Sequence, residues 1–61
     1  MNPPLEEIAI LRLPEVRRLT GLGRSTIYEM MAKGAFPRSV SLGFRAVGWR
    51  KGEIRVWLES R

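Results

Sequence analysis

Gly21-Leu22-Gly23-Arg24-Ser25-Thr26-Ile27-Tyr28-Glu29-Met30-Met31-Ala32-Lys33-Gly34 is the stretch on which the reading of the fold turns. Ile27, Met30 and Met31 recur at i, i+3 and i+4, so a helix over 24–33 would gather them on one apolar face. Arg24, Ser25, Tyr28, Glu29 and Lys33 cover most of the rest. Such a helix can rest on a core while presenting donors and cations to a DNA groove. An ordinary amphipathic surface helix has the same pattern, so its neighbours must decide between the two.

Working outward on the N-terminal side, Pro14 suits the first position of a helix, where its missing N–H costs nothing. Glu15 beside it suits the positive end of the helix dipole. Leu13, Val16 and Leu19 are expected to face inward from this helix, with Arg17 and Arg18 outward. Gly21 can adopt the positive φ of a helix stop, Leu22 would tuck between the two helices, and Gly23 serves as an N-cap without a side-chain acceptor. Helix, glycine-containing turn of three residues and helix is the layout of a helix-turn-helix. Further upstream, residues 1–10 read as a flexible N-terminal segment. Met1 to Pro4 is expected to be loose, and Leu11-Arg12-Leu13 alternates as a short extended piece does.

On the C-terminal side, Pro37 forbids continuation of the helix, and Ala35-Phe36-Pro37 reads as a bend with a buried aromatic. Val40-Ser41-Leu42 and Val47-Gly48-Trp49 alternate around Gly43-Phe44-Arg45, the pattern of a β-hairpin. Val40, Leu42, Val47 and Trp49 are expected on its inward face. A lone hairpin is marginal in water, so this one must lie against the helices. Ile54, Trp57 and Leu58 then mark a last helix from Lys51 to about Ser60, with Glu53, Arg55 and Glu59 outside. Arg50 and Lys51 stand where an acidic or hydroxyl cap is usual. Trp49 and Trp57 are expected in the core.

Sixty-one residues make one domain. Eleven Lys and Arg against six glutamates give a net charge of +5, which favours polyanionic partners, nucleic acid first and anionic membrane second. With no cysteine, no disulfide or thiolate metal site staples the fold. No apolar run approaches the ~18 residues of a membrane span, and the N-terminus lacks a signal-peptide pattern. A cytoplasmic, nucleoid-associated bacterial protein is the expectation.

Several of these pieces together are familiar. Leu11-Arg12-Leu13-Pro14-Glu15-Val16, Thr20-Gly21-Leu22, Arg24-Ser25-Thr26-Ile27-Tyr28 and Gly34-Ala35-Phe36-Pro37 resemble the AlpA family of prophage-associated transcriptional regulators. Val40, Leu42-Gly43, Arg45-Ala46-Val47-Gly48-Trp49, Glu53-Ile54 and Trp57 continue the match, in order and with matching gaps. The resemblance implies a mainly α domain with a small β-hairpin, a winged helix-turn-helix over 11–61 akin to those of MerR-type regulators and phage excisionases. It implies binding of duplex DNA near a promoter or an attachment site. Gly23, where the family more usually has Ser, and Arg50-Lys51-Gly52, where it usually carries a cap, depart from the pattern.

In such a domain the helix over 24–33 would enter a major groove and the wing, about 39–50, the minor groove. Arg24 and Ser25 open the helix where its dipole and free N–H groups favour a phosphate. Ser25, Thr26 and Tyr28 offer neutral hydrogen bonds, with helix capping as the alternative for Ser25 and Thr26. Base reading falls to Arg24, Thr26 and Glu29, with Arg to guanine, Thr to a thymine methyl and Glu to the cytosine amino group. For Glu29 an ion pair with Lys33 is the competing role. Arg45 at the wing tip is expected in the minor groove, and Arg17, Arg18, Arg38 and Arg50 on the DNA backbone, although surface arginines are commonly just solvated.

Catalysis is not expected, because histidine and aspartate are absent and glutamate alone is left for acid–base work. The same absences, with that of cysteine, leave no metal or cofactor site. The function expected is sequence-specific transcriptional regulation of a prophage or mobile element on double-stranded DNA. RNA polymerase or an integrase or recombinase are further partners, and binding as tandem copies or a dimer is open. Two alternatives stay beside it: an excisionase-like factor that bends DNA, and a protein-interaction adaptor with an apolar patch of Met30, Met31, Phe36 and Phe44.

Overall fold

The structure, a computed structural model, describes residues 4–61. Among these residues four helices and three short strands follow in the order α1 (Leu5–Ile8), β1 (Ile10–Leu11), α2 (Leu13–Thr20), α3 (Arg24–Ala32), β2 (Val40–Gly43), β3 (Ala46–Arg50) and α4 (Lys51–Glu59). This is compatible with a helix-turn-helix carrying a hairpin wing. Among the described residues no helix is long and apolar enough to cross a membrane.

Both helices of the central unit stop where glycine supplies the left-handed turn. Gly21 (φ 74°) donates its N–H to Arg17 O at 2.8 Å, and Gly34 has φ 73°. Between α2 and α3, Thr20 Oγ1 donates to Val16 O and accepts from Leu22 N–H. Thr20 therefore takes the inward position one turn beyond Val16, and Leu19, expected inward, is 41% exposed. Val16, Ile27, Phe36, Trp49 and Ile54 form the buried core, drawn from α2, α3, the α3–β2 bend, β3 and α4. Each such side chain contributes about 1.5–3 kcal/mol of burial, and a core of this size makes every one of them count.

The sheet has the order β1-β3-β2, antiparallel throughout, so the expected hairpin gains a third strand. Its register corrects the expected hairpin face. Val40 pairs with Gly48 and Ser41 with Val47, with an irregularity between Ser41 and Gly43. Paired residues share a face, so Val47 and Trp49 point inward with Leu11, the partner of Trp49, while Val40 and Leu42 lie outside with Gly48. Leu42 is accordingly 42% exposed. A Cβ at Gly48 would collide with Ile10 Cγ2 and lie 3.2 Å from Leu42 Cδ1, so glycine lets these two residues close over the strand. Trp49 is fully buried, donates Nε1–H to Pro37 O at 3.1 Å and meets Tyr28 edge-on. Trp57, also expected in the core, is only half-buried, between Phe36 and the Arg61 guanidinium.

Within the segment read as flexible (1–10), Leu5–Ile8 forms the single turn of α1 and Ile10 pairs with Arg50; Met1, Asn2 and Pro3 lie outside the described residues. Lys51 N–H donates to Ala9 O at 2.8 Å, and both Arg55 Nε and Nη2 donate to the Glu7 carboxylate. These hydrogen bonds and the adjacent Arg55 charge hold Glu7 below its ordinary pKa of 4.5. The start of α4, bare of a side-chain cap as expected, has Glu7 brought against it from another element, where a carboxylate suits the helix dipole.

Candidate nucleic-acid interface

The first position of α3 is Arg24, and its exposed face carries Ser25, Thr26 and Glu29. No side-chain hydrogen bond caps this helix start, which leaves its free N–H groups and dipole open to an anion. Arg24 sits over the Tyr28 ring, 5.3 Å from its centroid, so a half-buried aromatic anchored against Trp49 props the guanidinium. Tyr28 in turn lines a cleft with Met31, Ala32, Arg38 and Ser39. The structure thus sets Arg38, ten positions beyond Tyr28, on the cleft that Tyr28 lines, so that Arg24, Tyr28 and Arg38 form one strip. Arg17 and Arg18 border a second open cleft with Leu22 and Gly23, beside the beginning of α3.

Other predicted residues are placed differently. Arg18 is bound to Glu15 at 2.6 Å and Arg50 lies 3.8 Å from Glu53, so both have their charge partly compensated. Lys33 caps the far end of α3. The expected alternative for Glu29, pairing with Lys33, is not made: among the described residues neither forms an ion pair. Arg45 stands in the turn between β2 and β3, its guanidinium against the Phe44 ring. Of the apolar patch considered above, Phe36 is buried and Met30 and Met31 pack half-buried against the core, leaving Phe44 alone exposed.

Charge is sorted along the chain. From Arg24 to Arg45 four cations face a single carboxylate, Glu29, whereas four of the six glutamates lie in α1 and α4. A stretch so dominated by cations favours a polyanion.

Residues 9–61 match the family described as Prophage CP4-57 regulatory protein (AlpA). The chain belongs to the AlpA family. It is 48% identical over 59 residues to the uncharacterized protein ORF88 of enterobacteria phage P4, covering 97% of this chain and 67% of that one. It is also 40% identical over 60 residues to the DNA-binding transcriptional activator AlpA of Escherichia coli strain K12, covering 88% of this chain and 86% of the relative.

One supporting residue of this AlpA-family chain escapes sequence reasoning. Arg12, the residue before α2, donates Nε–H to Val47 O at 3.0 Å and so ties the hairpin to the helical unit. Thirty-five positions separate the partners, and nothing local to Arg12 signals the contact, because a carbonyl acceptor leaves no mark on the sequence.

Proposed function

We propose that this chain is a sequence-specific regulator of transcription for a prophage or related mobile element, binding double-stranded DNA as a winged helix-turn-helix over residues 11–61. In this reading α3 lies in a major groove, where Arg24, Thr26 and Glu29 meet base edges. Ser25, Tyr28, Arg17 and Arg38 hold phosphates, and the hairpin, with Arg45 at its tip, reaches the adjacent minor groove. The observation that carries it is the Arg24–Tyr28–Arg38 strip beside an uncapped helix start, in the stretch from Arg24 to Arg45 where Glu29 is the single carboxylate. That the Escherichia coli relative is a DNA-binding transcriptional activator supports the same reading. A carboxylate near phosphates is unfavourable unless it accepts a hydrogen bond, and Glu29, with no ion pair within the described residues, is free to accept from a cytosine amino group.

Fluorescence anisotropy tests this directly, with duplex DNA flanking the gene against a random duplex of equal length, titrated across salt. The expected result is preference for the flanking DNA and a logarithmic affinity that falls with log salt by about 0.9 per phosphate contact. Arg24→Ala should weaken specific binding more than non-specific binding. Equal affinity for both duplexes would overturn sequence reading, and no binding at moderate salt would overturn the DNA partner.

A further inference from the structure

Two unfavourable features meet at the tip of the β2–β3 hairpin. Phe44, 89% exposed, is the most exposed large apolar side chain among the described residues. Its neighbour Arg45 has φ 56°, the one positive φ outside glycine in that set. Left-handed backbone at a non-glycine residue is strained, and such strain gathers at functional sites. The Arg45 guanidinium carbon lies 5.1 Å from the centre of the Phe44 ring, so cation and ring project together as one unit. No place in the core awaits Phe44, because Leu11, Val47 and Trp49 already fill the inward face of the sheet.

We propose that Phe44 is a wedge, inserted from the minor groove between two base pairs of duplex DNA, with Arg45 held in the groove beside it. The inference rests on the DNA-binding reading above and adds a mode of deformation to it. Apolar side chains inserted at base steps from the minor groove unstack them and kink the duplex. The attached guanidinium decides between occupants: an apolar protein pocket taking the ring would have to bury the Arg45 charge without a partner, whereas a groove flanked by phosphates takes both. Pyrimidine–purine steps unstack at least cost, so a TpA or CpA step is the expected place of insertion.

The test uses duplexes from DNA flanking the gene, each with 2-aminopurine replacing adenine at one pyrimidine–purine step. Anisotropy reports binding and 2-aminopurine emission reports unstacking. The full chain should raise the emission at one step. Phe44→Ala should abolish that rise and weaken binding roughly tenfold, as expected for one lost stacking contact, while leaving the salt dependence unchanged because no charge is removed. Unchanged tryptophan emission from Trp49 and Trp57 would show that the variant is folded. Salt-sensitive binding by the unaltered chain without unstacking at any step would overturn the wedge alone. So would a Phe44→Ala variant that unstacks or binds as the parent does. Absence of binding by the unaltered chain would overturn the DNA reading and the wedge together.

Discussion

Replacing Gly52 with alanine sets two effects of similar size against each other. Gly52 lies in the first turn of α4, where alanine would stabilise the helix by at most about 1 kcal/mol. Against this, a Cβ at Gly52 would collide with Glu7 Oε2 and come to 2.9 Å from the Glu7 backbone oxygen. The carboxylate can swing aside, but the carbonyl moves only if α1 moves with it. Overpacking of this kind costs about 1–3 kcal/mol, with the upper limit set by what docking of α1 contributes, since α1 can detach. That docking includes the Lys51 N–H to Ala9 O bond, a contribution of about 0.5–1.5 kcal/mol. The full chain should therefore lose about 1 kcal/mol net, a fall in Tm of about 4–8 °C for a domain of this size. In a chain lacking residues 1–8 the obstacle is gone, and the same substitution should stabilise by up to about 1 kcal/mol. Urea unfolding followed by tryptophan emission measures both. A stabilised full-length variant, or the same change in both backgrounds, would refute the packing of α1 on α4.

Trp49→Phe should cost about 2–3 kcal/mol, because Trp49 is fully buried and its loss leaves Pro37 O without a donor. Trp57→Phe should cost under about 1 kcal/mol, since Ala35 O is exposed and water can replace the lost bond; thermal unfolding of the two variants checks the contrast. Arg45→Gly should hold or raise stability by up to about 1 kcal/mol through relief of the left-handed strain, yet weaken DNA binding and lower the salt slope by about 1. Opposite signs in calorimetry and anisotropy would show that Arg45 serves binding at a cost in stability. Acidification should release α1: the folded-state pKa of Glu7 is depressed, so its contribution is present above the ordinary value and lost as pH falls through the folded one. The Gly52 amide shift followed by NMR across acidic pH reports this. An identical profile in Glu7→Gln would remove Glu7 as the cause.

Arg24 and Tyr28 were legible as surface residues of one helix, and their contact follows from i, i+4 spacing. Arg38 beside Tyr28 was not, because the bend at Phe36-Pro37 sets where the chain returns and no local pattern encodes that distance. The Glu29–Lys33 alternative was plausible from spacing and still is not made. An exposed pair contributes too little to hold two long side chains in one geometry.

Residue order alone determined the features that depend on neighbours a turn or less away. Helical spacing marked Ile27, Met30 and Met31, and likewise Ile54, Trp57 and Leu58; Gly21 and Gly34 supplied the two stops, and Pro37 barred a longer α3. The excess of arginine and lysine is equally a property of the chain. Tertiary structure decided which side of each element meets the core. Alternation in a strand defines two faces but not which is inward, and a shift of one residue exchanges them. Here the irregularity between Ser41 and Gly43 and the closure of Ile10 and Leu42 over Gly48 settled the register. Docking of α1 against Gly52, the Arg12 tie to Val47 and the exposed Phe44–Arg45 tip belong to the same class. Each depends on a contact between distant segments or on a turn geometry that no local periodicity records.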